Sequence, residues 1–209
     1  MKRLYLTSSI NLVAKRIAEE LKPTDGKNKL VFINTASEDK VHEGNWVEEN
    51  RNSLKDIGFD VFDYTIRDKK EKRIRNDLKD MDVIYIDGGN TFYLLEKAQQ
   101  SGFINVVRDL VLKDGKVYIG TSAGSVIAGP DIYPALRIDD ASYAPNLRGY
   151  KGFNLVDFVI LPHWGSVKFK ELYLNHRLEH SYEGKSELIL LRDNQYVEVK
   201  DDWYRIVEV

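Results

Sequence analysis

Cysteine is absent from the 209 residues. That removes disulfides, thiolate chemistry and Cys-based zinc sites, and it is compatible with a reducing compartment. No apolar run approaches the ~20 residues needed to cross a bilayer. The N-terminal stretch MKRLYLTSSINLVAKRIAEE turns polar after a few residues and lacks the apolar core of a signal peptide. A cytoplasmic location is therefore expected. Excess charge is also missing, since 31 basic and 33 acidic residues leave a net charge of −2. Neither nucleic acid nor an anionic membrane is thus expected as a partner. There is no G-x-G-x-x-G and no P-loop lysine, so the case for nucleotide binding is weak. Repeats, low-complexity segments and linkers are missing as well, and residues 1–209 are expected to form one domain. What remains is a chain with 43% hydrophobic residues, ample for a packed core.

Short apolar runs alternate with longer amphipathic stretches. Strands are expected at residues 4–6, 30–33, 59–64, 82–86, 116–119 and 158–161. Helices are expected at 10–21, at 46–57 closed by Gly58, and at 91–99, 104–112 and 168–180. A charged stretch before residue 82 reads as a solvated helix. This alternation predicts an α/β fold in three layers, a mostly parallel sheet with helices on both faces. Residues 187–191, 196–200 and 203–209, separated by Asp193-Asn194 and Asp201-Asp202, are expected to form antiparallel strands with tight turns. Residues 129–154, rich in Pro, Gly and Tyr, read as a long loop near the site.

The strongest local signal is G-T-S-A-G-S at residues 120–125, a G-x-S-x-G pattern between a strand and a helix candidate. A serine on such a sharp turn projects its hydroxyl from the carboxyl end of the sheet. Glycines two before and two after relieve the crowding. Ser122 is the candidate nucleophile, and the Ala123 N–H and the following helix end face a developing oxyanion. A second glycine turn, D-G-G-N-T at residues 87–91, offers the Gly89 N–H as the other oxyanion donor. It also reads as a plain turn capped by Asn90 or Thr91.

A serine hydroxyl needs a base. Of His42, His163, His176 and His180, only His163 lies just past an apolar strand, where it would emerge at the sheet edge that carries Ser122. For the acid, Asp193 follows the strand at 187–191 and is favoured. Asp140 and Asp139 are rivals, each also readable as a solvated turn aspartate.

Residues 87–92 (D-G-G-N-T-F), 120–125 (G-T-S-A-G-S) and 161–163 (L-P-H) together resemble the aspartyl dipeptidase/peptidase E family of serine peptidases in order and approximate spacing. That family is similar to the class I glutamine amidotransferase fold, with serine replacing the cysteine nucleophile. The resemblance implies Ser122 as nucleophile, His163 as base, the amides of Gly89 and Ala123 as oxyanion donors, and an acid at Asp193 or near Asp139 and Asp140. It implies hydrolysis of dipeptides with an N-terminal aspartate, without metal or cofactor, by a monomer or homodimer. Recognition of aspartate calls for an arginine, for which Arg177 and Arg137 are the candidates. Ser125 departs from the family, where alanine is common.

Three other readings compete. H-R-L-E-H at residues 176–180 matches the inverted zinc-protease pattern H-x-x-E-H. An α/β-hydrolase esterase would share the serine turn, but it would prefer the order Ser, Asp, His. A non-catalytic amidotransferase-like binding module would need neither the serine nor the histidine.

Overall fold

The computed structural model describes residues 1–22, 28–38, 45–136, 139–177 and 186–209, and of residues 176 and 177 the backbone only. Five strands run parallel: β1 (Arg3–Thr7), β2 (Lys29–Ile33), β3 (Asp60–Tyr64), β4 (Val83–Ile86) and β5 (Val117–Thr121). Two more, β8 (Gln195–Lys200) and β9 (Trp203–Glu208), are antiparallel and complete a sheet in the order β3-β2-β4-β5-β1-β8-β9. Asp201-Asp202 makes the tight turn between them, with Asp201 at φ 52°. A two-residue hairpin needs such left-handed backbone.

Alternate residues of the central strands feed two cores. Leu4, Leu6, Val31, Ile33, Ile84 and Ile86 face one side. There they meet helices α3 (Glu71–Leu78), α4 (Thr91–Ser101) and α5 (Phe103–Leu112) and the single turn α6 (Ala123–Val126). Tyr5, Leu30, Phe32, Val83, Tyr85 and Ile119 face the other side, against α1 (Ile10–Leu21) and α2 (Trp46–Asp56). Strands buried on both faces explain why their runs are almost continuously apolar. Burial of about 25 cal/mol per Å² of apolar surface on both faces is the main force holding the three layers together.

The C-terminal region departs from expectation. β6 (Phe158–Leu161) does not join the main sheet, and β7 (Glu187–Leu190) is not part of an antiparallel tail. The two pair with each other in parallel, Phe158 opposite Glu187 and Leu161 opposite Leu190. A parallel pair needs a crossover connection, and the chain between these strands is long enough to supply one. The pairing continues past the strands, since Leu191 N–H donates to Leu161 O and Trp164 N–H donates to Leu191 O. The carboxyl ends of β6 and β7 therefore emerge together.

The helix expected at 168–180 is instead a 3₁₀ turn, Val167–Phe169, one α-turn, Lys170–Leu172, and a π-type segment, Tyr173–Arg177. Buried Tyr173 anchors it by donating its hydroxyl to Pro162 O. Residues 178–180 lie outside the described residues. The described residues of 129–154 are irregular as expected, but they pack Ile132, Ala135, Ala144 and Phe153 into the core. Among the described residues no helix is long and apolar enough to cross a membrane.

Candidate active site

Ser122 sits between β5 and α6 at φ 50°, ψ −111°, a conformation that non-glycine residues adopt only when the surroundings enforce it. The enforcement is visible. Ser122 N–H donates to Thr7 O at 3.0 Å, and the N–H groups of Ser125 and Val126 return to Ser122 O. The flanking glycines permit close packing. A Cβ on Gly120 would lie 2.5 Å from Gly124 O, and one on Gly124 would lie 2.1 Å from Ile86 O. Ser125 is fully buried, its Oγ 2.7 Å from Thr7 O and 2.8 Å from Gly120 O. It joins β1 to β5 directly beneath the turn, which an alanine at this position could not do.

The end of β6 delivers His163, held at φ 63° with its N–H donating to Ser8 Oγ at 2.7 Å. Its ring lies parallel to Phe169, with centroids 4.6 Å apart. Nε2 is 2.9 Å from Ser122 Oγ, and Nδ1 is 2.6 Å from Asp193 Oδ1. Asp193 stands just past β7. Its Oδ1 also accepts from Ser8 Oγ at 2.7 Å and Ser9 Oγ at 3.1 Å. Burial works against the Asp193 carboxylate, but the hydrogen bonds from His163, Ser8 and Ser9 outweigh it and hold its pKa below the ordinary value. An ionised Asp193 can accept a hydrogen bond from Nδ1–H, the tautomer in which Nε2 faces Ser122 Oγ as an acceptor.

The chain matches the model of peptidase family S51 over residues 4–207. It belongs to that family. It is a serine-type peptidase by that membership. It is 34% identical over 201 residues to an uncharacterized peptidase of Listeria monocytogenes, covering 96% of this chain and 95% of that one. It is 26% identical over 202 residues to a peptidase E of Nostoc, covering 94% of this chain and 78% of that one. The crystal structure of a Listeria monocytogenes protein titled provisionally as a peptidase E superposes with a TM-score of 0.90 at 31% identity, covering 100% of this chain and 99% of that one.

Within this S51 chain the second glycine turn packs directly on the serine. A Cβ on Gly88 would lie 3.3 Å from Ser122 Cβ. Gly89, at φ 135°, leaves no room for a side chain, which would meet Ala36 O at 2.3 Å. Asn90 caps α4, accepting from Tyr93 N–H at 2.9 Å. The turn is thus both a cap and a backbone surface beside Ser122. Ala123 N–H is the first of α6, so no carbonyl within the helix reaches it. Because α6 is a single turn, its macrodipole adds less than a full helix would.

The rival acids do other work. Asp139 Oδ2 accepts the Thr91 N–H at 2.9 Å, at the start of α4. Asp140 caps the 3₁₀ turn Ala141–Tyr143 through Ser142 N–H at 2.8 Å, and its carbonyl accepts from Asn90 Nδ2 at 2.9 Å. These bonds to Ser142 hold the Asp140 carboxyl below its ordinary pKa. The carboxylate that meets the imidazole is that of Asp193. Arg137 lies outside the described residues, as do the side chains of Arg177 and His176 and all of His42 and His180. Among the described residues no group of three His, Asp or Glu could hold a metal ion.

Three residues around the site escaped the sequence reading. Ser8 and Ser9 follow β1, the strand beside β5, and polar residues at that strand's carboxyl end were the available signal. The third is Asp87, fully buried under the glycine turn. Its Oδ1 accepts from Tyr85 OH and Asn50 Nδ2, each at 2.8 Å, while Oδ2 is buried without a hydrogen-bond partner among the described residues. Burial pushes its pKa up to about 6.

Proposed function

We propose that this peptidase hydrolyses small peptides, specifically dipeptides with an N-terminal aspartate, through Ser122, His163 and Asp193. The observation that carries the reading is the continuous hydrogen-bonded chain Asp193–His163–Ser122, at 2.6 and 2.9 Å. Ser122 Oγ attacks the scissile carbonyl carbon while its proton passes to His163 Nε2. Ionised Asp193 stabilises the resulting imidazolium. The amides of Gly89 and Ala123 receive the oxyanion. His163 then returns the proton to the leaving amine, and an acyl-enzyme remains. Water, deprotonated by the same histidine, releases the acid.

The preference for aspartate rests on the resemblance to the aspartyl dipeptidase/peptidase E family and on relatives that carry the name peptidase E. A cation must meet the substrate carboxylate, and Arg177 and Arg137 are the proposed donors. The chain acts as one unit, as a monomer or homodimer in the cytoplasm, on peptides rather than on nucleic acid or membranes.

A panel of Asp-X, Asn-X and Ala-X dipeptides tests this. Asn-X should fall about 30–1000-fold in kcat/KM, because a charge-assisted pair becomes an unpaired cation. Equal rates across the panel would remove the aspartate preference and leave the peptidase. Turnover of all three by Ser122→Ala would remove Ser122 from the chemistry.

A further inference from the structure

A cleft of about 810 Å³ opens between the C-terminal end of α4, the outer side of α5 and residues 146–154. Gln99 on its wall is eight residues beyond Thr91, about 12 Å along the helix from the glycine turn beside Ser122. The cleft shares no lining residue with the peptidase site. Its volume suits a small molecule.

The chemistry of the wall is one-sided. Arg108, Arg148 and Lys151 line it, and no aspartate or glutamate does. Arg108 is held in place because its Nη1 donates to Phe153 O at 2.6 Å and Asn154 O at 2.8 Å. Its Nε–H and Nη2 protons are left over. Arg148 and Lys151 are exposed, and no ion pair engages either side chain among the described residues. Glu71 is 3.5 Å from Asn105 Nδ2 and is paired with Arg75 at 3.1 Å. Glu96, under the same wall, is taken up by Lys97 and by the Asn146 N–H. In a protein of net charge −2, three cations line this cleft and no carboxylate lines it among the described residues. The carboxamides of Asn105 and Asn146 add hydrogen-bonding groups between them. Concave walls of one charge focus the field and concentrate the opposite ion.

We propose that this cleft binds a small polyanion, a molecule carrying phosphate groups or several carboxylates. Arg108 supplies the oriented fork, and Arg148 and Lys151 close over the ligand's outer charges. The site is independent of the peptide substrate.

The test is calorimetric titration of the whole chain at low ionic strength with inorganic phosphate, pyrophosphate and citrate. Saturable binding is expected for at least one of the three, weakening as salt is added. Arg148→Glu combined with Lys151→Glu, both at exposed positions, should weaken it by about 30-fold or more. Ser122→Ala should bind as wild type does. Tighter binding of pyrophosphate assigns a phosphate-bearing ligand and tighter binding of citrate a polycarboxylate; either supports the proposal. Three results would each overturn it: no saturable binding of any probe, unchanged affinity in the charge-reversed variant, or loss of binding in Ser122→Ala.

Discussion

Asp193 and Asp87 sit at the same end of the structure, on either side of Ser122, and their pKa values are shifted in opposite directions. Asp193 is partly exposed and collects donors from His163, Ser8 and Ser9, so its carboxylate is stabilised despite desolvation. Asp87 is sealed from water, satisfies one oxygen and leaves the other bare, so desolvation wins and its pKa rises to about 6. Donor count set against burial decides which carboxylate is fit to hold a charged imidazole. The contrast is consistent with the role proposed for Asp193 and with a place for Asp87 in the scaffold.

The sharpest way to break this contrast is to neutralise each in turn. Asp193→Asn keeps the shape but presents an amide to Nδ1, which favours the wrong imidazole tautomer. A kcat loss of about 10⁴-fold is expected with the fold intact by circular dichroism. Activity near wild type would leave His163 oriented by some other group.

Asp87→Asn should act on stability instead. The folded pKa lies near 6, above the ordinary 3.8. Below the lower value both folded and unfolded chains hold the proton. As pH rises, the unfolded chain releases it first, so wild-type stability falls through that window by up to about 3 kcal/mol. The substitution removes that loss. Measured by urea unfolding, the stability of Asp87→Asn relative to wild type should therefore increase from about pH 4 to about pH 7. The constant cost of a buried amide cancels in that difference. A pH-independent difference would mean that Asp87 ionises normally. Asp193 has the opposite sign, with its contribution present at neutral pH and lost in acid as the depressed folded pKa is crossed.

Ser8→Ala tests whether the serine donors set the contrast. It strips one hydrogen bond from Asp193 and the acceptor from the His163 N–H, and a kcat loss of about tenfold is expected. The acid limb of the pH–rate profile should move upward, because the carboxylate loses a donor. A profile of unchanged shape would make Ser8 structural. The smallest effect is expected from Asp140→Asn. Its carboxylate holds a 3₁₀ turn, so kcat should stay within about twofold of wild type. A dead variant there would transfer the acid's role from Asp193.

How far the sequence could be read follows from the range of the forces involved. The strand–helix alternation and the serine turn are written locally, in apolar runs and in glycines where a side chain would collide with backbone four or five residues away or with Ile86. Partner choice is not local. The run at 187–191 looked like part of a hairpin tail because a short apolar strand carries no mark of its neighbour, and only three-dimensional packing sets it beside β6. Ser8 and Ser9 drew no reading, because their partner Asp193 lies 185 and 184 residues away. Asp87 read as a turn residue, since its burial depends on Asn50, which comes from another helix. The stretch after Lys168 suggested a longer helix because its residues have ordinary helix propensity, and the anchoring of Tyr173 to Pro162 O could not be foreseen.

The parallel pairing of β6 with β7 also bears on when the residues around Ser122 come together during synthesis. Ribosomes deliver the chain from the N-terminus, so Ser122 and His163 emerge well before the strand that carries Asp193 into place. Until β7 docks, the His163 imidazole lacks the Asp193 carboxylate as its hydrogen-bond partner. β8, which follows at once, then inserts alongside β1, the first strand made. The hydrogen-bonded chain Asp193–His163–Ser122 is thus assembled only when the strands that follow residue 186 have taken their places.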